Sequence, residues 1–242
     1  MPSLGASDDD APAWAEERSV FGDLFKTGRD LGNRNVRDQL GHAMWVGGGI
    51  VLASSLLDRP VANWAAKHQG PRMNKLGNIA SNVPLLLAGG TGLLWWGLGG
   101  ENASETAWTA IKSAAVTLAA DTLLTIAVNR ARPEANLGAA HFAPFGKGAT
   151  NGSFPSSHMS GAFALVTPFA RDYDAPWLYA VAGATAFGRI QQRQHFVSDV
   201  VAGSLLGYVA GALLLDQQHK NGKGPKIAIG SDRSISSRWE FD

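Results

Sequence analysis

The sequence predicts an all-α protein built as a bundle of about six core helices, and three observations carry that prediction. Long apolar segments alternate with polar breaks at "DRPVANWAAKHQGPRMNK", "ENASE", "RPEANLGAAHFAPFGKGATNGS" and "RDYDAPW". Period-two alternation, the mark of a half-buried strand, is rare until the C-terminus. Within residues 106–128, Thr106, Thr109, Ser113, Thr117, Asp121 and Thr125 recur every three or four positions, so a helix lines them up on one face.

Taken in order, residues 1–20 are polar, acidic and without periodicity, which predicts a disordered N-terminal tail. Residues 21–40 read as a mixed amphipathic helix that opens a helical domain over 21–220. The apolar runs 42–57, 82–100 and 200–215 lie at or just under the ~20 residues needed to cross a bilayer, and 161–170 and 176–187 are shorter. The polar stripe of 106–128 is expected to face water or a polar pocket. Asp199, Gly203, Gly207 and Gly211 recur every four residues, and the three glycines predict a close approach by another helix. In the tail 221–242, the stretch 226–241 reads as a short hairpin turning near Gly230 and Ser231.

A chain of 242 residues with 45% hydrophobic side chains can bury a sizeable core. Its net charge of +1 and the absence of a basic stripe argue against nucleic acid as a partner. With no cysteine, disulfide frameworks and thiolate metal sites are ruled out. A mean hydropathy of −0.05 is low for a protein made mostly of spanning helices. Two readings stay open: a helical protein that touches or partly enters a membrane, or a soluble bundle with very apolar helices. The acidic start lacks the basic and apolar regions of a signal peptide, which fits either a chain not exported by that route or a mature form.

Charged clusters interrupt the apolar segments at three places: "NRARP" with Arg132, "FPSSHMSG" with Ser156, Ser157 and His158, and "GRIQQRQHFVSDVVAG" with Arg189, His195 and Asp199. Arginine offers a planar fork of donors that matches phosphate oxygens. Ser156, Ser157 and the first N–H groups of the helix opening at "SSHMSG" add neutral donors and a favourable dipole for an anion. The implied ligand is phosphate or a close mimic. His195 and Asp199 are four residues apart, so the carboxylate can hold one ring nitrogen protonated and leave the other as a nucleophilic lone pair. His158, across the anion, suits protonation of the leaving oxygen.

This constellation resembles the type 2 phosphatidic acid phosphatase superfamily, which includes bacterial acid phosphatases and vanadium haloperoxidases. The family signature is Lys, six residues, Arg-Pro; then Pro-Ser-Gly-His; then Ser-Arg, five residues, His, three residues, Asp. Arg132 and Pro133 match the first part, Pro155, Ser156 and His158 the second, and Arg189, His195 and Asp199 the third. The resemblance implies a metal-independent phosphatase without cofactors, acting on a phosphomonoester or diphosphate of a lipid or small ester, with vanadate as inhibitor. It implies a phosphohistidine on His195, oriented by Asp199, with His158 as general acid and Arg132, Arg189 and Ser156 holding phosphate. It also implies a bacterial cell envelope location, membrane-associated or periplasmic. Oligomeric state is not implied.

Three positions depart from the signature: Thr125 stands for Lys, Ser157 for Gly, and Gly188 for the Ser before Arg189. Lys112 is about 20 Å from Thr125 along a helix, and Arg130 would point about 140° away if the helix persisted. Lys147 belongs to a loop. One charge fewer should weaken phosphate binding by roughly 1–3 kcal/mol. Two alternatives follow: a degenerate, non-catalytic phospholipid-binding member, or a vanadium-dependent haloperoxidase. His42, His68, His141 and His219 are expected at the surface or as caps, and Arg171 and Arg193 as solvated side chains.

Overall fold

The computed structural model of the chain describes residues 34–146, 152–220, 226–229 and 235–238. The tail 1–20, most of the amphipathic segment 21–40, Lys147 and the turn at Gly230 and Ser231 lie outside the described residues. The chain divides into two compact units, Met1–Gly41 and His42–Asp242.

Among the described residues, eight α-helices form six rods. α1 (Arg34–Ser54) continues through a 3₁₀ turn, Ser55–Leu57, into α2 (Asp58–Lys67). α3 (Pro71–Ser81) starts with proline in its first turn, where the missing N–H costs nothing. It runs through Asn82 into α4 (Val83–Leu93) and a π-helical turn, Leu94–Leu98. Gly97 and Gly100 then adopt φ of 109° and 80°, a left-handed region open to glycine, and the chain reverses into α5 (Gly100–Val128). α6 (Ser157–Asp172), α7 (Trp177–Gln191) and α8 (Val197–Lys220) complete the set. Strands β1 (Lys226–Ile229) and β2 (Ile235–Arg238) pair antiparallel, Lys226 opposite Arg238.

Helix α6 lies between α5 and α8. A Cβ added at Gly203 would fall on the Ser156 carbonyl, at Gly207 on the Ser160 carbonyl, and at Gly211 within 2.7 Å of the Thr167 Cβ. The three glycines therefore form the seam along which α8 meets α6 backbone to backbone, as their spacing predicts.

The polar stripe of α5 corrects one expectation. Thr106, Thr109, Ser113, Thr117 and Asp121 are buried, facing neither water nor an open pocket. Thr106 Oγ1 donates to Asp172 at 2.7 Å, Thr109 to Gln218, and Ser160 Oγ to Asp121 at 3.1 Å. On the opposite side of the same helix Leu118, Leu123, Leu124 and Ile126 are exposed. Polar inside and apolar outside inverts the arrangement of a water-soluble helix.

That inversion recurs. Trp45 is 87% exposed and Trp96 88%, with Met44, Leu52, Leu56, Leu85 and Leu86 also bare. The stretches Leu40–Lys67, Pro71–Leu98, Gly100–Val128 and Val197–Lys220 are 28, 28, 29 and 24 residues long and apolar enough to cross a membrane. The apolar runs fall short of this length in the sequence because polar residues such as Asp58 and Asn82 interrupt the pattern without ending the helix. The protein is membrane-associated.

Candidate active site

The site forms where α5 ends, α6 begins and α7 turns into α8. α5 stops because Asn129 adopts φ of 43° and turns its amide to the carbonyls of Ala143 and Gly146, both at 2.9 Å. Arg130 and Arg132 thereby leave the helix, so the helical angle used to place Arg130 does not apply. α7 ends at Gln191, and Arg193 turns the chain with φ of 58° to bring His195 into the protein. Arg193 is held rather than solvated, donating to the Pro133 carbonyl at 2.9 Å and to Asn136 at 2.5 Å. Arg171 pairs with Asp216 at 3.0 Å.

The His195 ring is buried, and its Nδ1–H donates to the Ser153 carbonyl at 2.7 Å. A carbonyl can only accept, so the proton sits on Nδ1 and Nε2 keeps its lone pair. Burial first, then the Arg189 charge, push His195 down to about 3; the Ser153 hydrogen bond pulls the other way, and Arg132 and His158 add smaller downward contributions. At neutral pH the ring is uncharged, with its lone pair on Nε2. His158, half-buried in the first turn of α6, is pushed below its ordinary value by burial, Arg189 and Arg132. Burial and the neighbouring Arg132 lower Arg189 to about 10, with Glu134 pulling the other way. Arg132, Arg189, His158 and His195 thus lie within electrostatic reach of one another, as the sequence predicts.

Three buried polar atoms of this group lack partners: Arg132 Nε, Arg189 Nε and Ser156 Oγ. Buried donors are ordinarily satisfied, so three unmet ones beside two histidines mark a place for an anion. Ser156 is the residue before α6 in extended conformation, and Ser157 is exposed at the first helical position. Arg132 reaches Gln194, and Gln194 donates to Glu134 at 2.8 Å. The converging groups are donors and cations, which suits an anion rather than a metal ion.

Asp199 is placed differently from the expectation that it orients His195 directly. Its Oδ2 accepts from the Phe196 N–H at 2.7 Å and from Ser153 Oγ at 2.8 Å, and its Oδ1 from Arg130 at 2.6 Å. Asp199 therefore acts through Ser153: it anchors the residue whose carbonyl holds the His195 ring. The reason is the cap of α8, where the carboxylate turns back to the N–H three residues earlier. The Asp199 carbonyl also accepts from Ser156 N–H at 3.1 Å, tying the anion-binding mouth to the same point.

Behind Asp199 stands a network that sequence reasoning missed. Arg130 is buried, pairs with Asp58 at 2.7 Å and with Asp199, and lies 4.3 Å from the Phe196 ring centroid. Asp58 also accepts from Ser198 N–H at 2.9 Å and Ser198 Oγ at 2.7 Å. The available signal was Asp58 itself, an ionisable residue inside a segment that could span a membrane.

The departures have structural correlates. Arg130, neutralised by two aspartates, is no substitute for lysine at 125, and Lys112 lies over the Trp108 ring at 5.9 Å. Thr125 is half-buried, its methyl 3.3 Å from where a Gly152 Cβ would stand. A Cβ at Gly188 would lie 2.5 Å from the Ser81 backbone nitrogen and 2.6 Å from both the Gly77 carbonyl and Ser81 Oγ, so a serine there has no room. Ser81 Oγ donates to Gln192 at 2.9 Å, and Gln192 in turn accepts from Arg189 at 3.3 Å.

Residues 106–223 match the PAP2 superfamily. Over 72 residues the chain is 38% identical to lipid A 1-phosphatase of Porphyromonas gingivalis, a match covering 27% of this chain and 16% of that relative. A transmembrane PAP2 type phosphatidylglycerolphosphate phosphatase from Bacillus subtilis is similar in structure, with TM-score 0.46 and 15% identity, covering 84% of this chain and 95% of the other. All the predicted site residues except Thr125, which precedes Asn129 on α5, fall in the cluster described, and all lie inside the matched segment.

Proposed function

We propose that this chain hydrolyses the phosphomonoester or diphosphate of a lipid through a phosphohistidine on His195, without a metal ion. The observation that carries the reading is the set of unpartnered buried donors of Arg132, Arg189 and Ser156 beside an uncharged, oriented His195.

In the first step His195 Nε2 attacks phosphorus, and the bond from phosphorus to the leaving oxygen breaks. His158 gives that oxygen its proton and is left neutral. Arg132, Arg189, Ser156 Oγ and the free N–H groups of α6 stabilise charge on the transferring phosphoryl oxygens. In the second step His158 takes a proton from water, the water oxygen bonds to phosphorus, and the phosphorus–nitrogen bond breaks to release phosphate. Binding of a phosphate anion offsets the Arg189 and Arg132 charges that lower His158, so substrate itself raises the acid's pKa toward protonation. The membrane-facing helices and the lipid A named for the Porphyromonas relative support a lipid substrate in the bacterial envelope, with the site toward the periplasm.

The test is phosphate release from lipid phosphates and from p-nitrophenyl phosphate in excess chelator, with and without vanadate. Turnover that survives chelation, is blocked by vanadate and falls at least about 10³-fold in His195→Ala supports the reading. A fully active His195→Ala protein overturns it.

Thr125 favours a second reading, a non-catalytic phospholipid-binding member. If Thr125→Lys raises turnover from near zero, that reading stands; good activity in the native chain rejects it.

A further inference from the structure

A cavity of about 750 Å³ opens beside the phosphate site, walled by Val51, Leu52, Leu56, Val128, Phe142 and Phe154. Its floor is Asp58, Arg130 and Ser198, and exposed Arg59 stands at its rim. The size is that of a ligand site.

The polar floor is already satisfied. Arg130 donates to Asp58, Asp199, Ser198 Oγ and the Ala139 carbonyl, and Asp58 accepts twice from Ser198. None of these atoms is among the unpartnered ones, several of which lie in the phosphate site. Arg130 is paired with Asp58 in the floor and with Asp199 behind it, so the floor has no uncompensated cation to offer an anion. The cavity therefore selects an apolar occupant, while the phosphate belongs to the histidine mouth.

The occupant's source follows from position. Leu52 and Leu56, 73% and 79% exposed, belong to the stretch Leu40–Lys67 that is long enough to cross a membrane, so the cavity wall is continuous with a hydrocarbon-facing surface. Phe154 in the wall is two residues from Ser156 in the phosphate mouth, and Arg59 complements an anionic headgroup at the rim. We infer that this cavity receives a hydrocarbon chain of the anionic phospholipid whose phosphate lies at His195. The inference rests on the phosphatase reading for the identity of that lipid.

Two measurements test it. Wild type, Ser55→Trp and Ala140→Trp, each placing an indole in the cavity, are compared on long-chain phosphatidic acid and on p-nitrophenyl phosphate. The ratio of kcat/KM for the lipid to that for the soluble ester should fall about tenfold or more; an unchanged ratio overturns the inference. Wild-type protein is also photolabelled with phosphatidic acid carrying a diazirine on its acyl chain. Labelling at residues 51–60, 139–142 or 154 supports the cavity, and labelling confined to 85–98 and 118–126 overturns it. If wild type hydrolyses neither substrate, the phosphatase reading fails while the labelling still reports on the cavity.

Discussion

His158 and His195 lie within electrostatic reach of two arginines, and their titration follows from that company. The proposed mechanism needs His195 neutral and His158 protonated. In the free enzyme His195 loses its proton near 3, and His158 loses its own somewhere below the ordinary 6.5. The profile of kcat/KM should therefore fall as pH rises through the lowered His158 value, giving an acid optimum, while kcat should fall at higher pH because bound phosphate raises His158. A pH–rate series on a soluble ester checks this; a kcat/KM optimum above pH 7 contradicts it. Stability runs the other way. A histidine whose folded pKa is depressed contributes stability that is present above about 6.5 and is lost as pH falls toward about 3. Tm should decline over that window, and His195→Gln should flatten the decline.

Also at the residue scale, Arg130 balances two buried carboxylates. Arg130→Met leaves Asp58 and Asp199 without their cation, and breaking a buried pair in this way costs about 3–5 kcal/mol. Thermal unfolding in detergent should show a large loss of Tm. An Arg130→Met protein with native Tm would mean that the network does not hold the site together.

The elements meet along seams of small residues, and these seams place the catalytic groups. Gly207 sits where a side chain would strike the Ser160 carbonyl, Phe163 and Ala164, so Gly207→Ala should push α8 from α6 at a cost of about 1–3 kcal/mol. Because Ser156 N–H bonds to the Asp199 carbonyl across the same seam, phosphate release should drop with stability. The α3–α7 contact offers a sharper test. Gly188→Ser restores the serine of the signature but sets a Cβ against the Ser81 backbone nitrogen and the Gly77 carbonyl as well as Ser81 Oγ, so it should destabilise by a similar amount; Ser81→Gly, made together with it, should recover little of the loss because the backbone contacts remain. Full recovery in the double mutant would show that the Ser81 side chain alone fills the space.

At the scale of the whole molecule, apolar surface faces outward and polar groups face inward along the long helices. The protein should sediment with membranes, resist carbonate extraction and dissolve in detergent; release by carbonate alone would contradict a spanning arrangement. Much of this molecule was legible in one dimension. Helical periodicity reports neighbours three and four residues apart, which is why the rods, the glycine seam and the charged signature could be read directly. The same periodicity is silent on what lies across a face. The stripe from Thr106 to Asp121 looks alike whether it meets water or another helix, and it meets α6 and α8. Asp199 lies four residues after His195, yet the His195 ring is held by a backbone carbonyl 42 positions earlier, because capping α8 takes the carboxylate away. By itself the sequence determined which residues are proposed to carry the chemistry, since their types and local spacings are covalently fixed. Tertiary structure alone decided that Asp58 steadies Arg130, that Ser81 occupies the space beside Gly188, and that a satisfied polar floor lines an apolar cavity. Those pairings join distant segments, and packing rather than local geometry selects them.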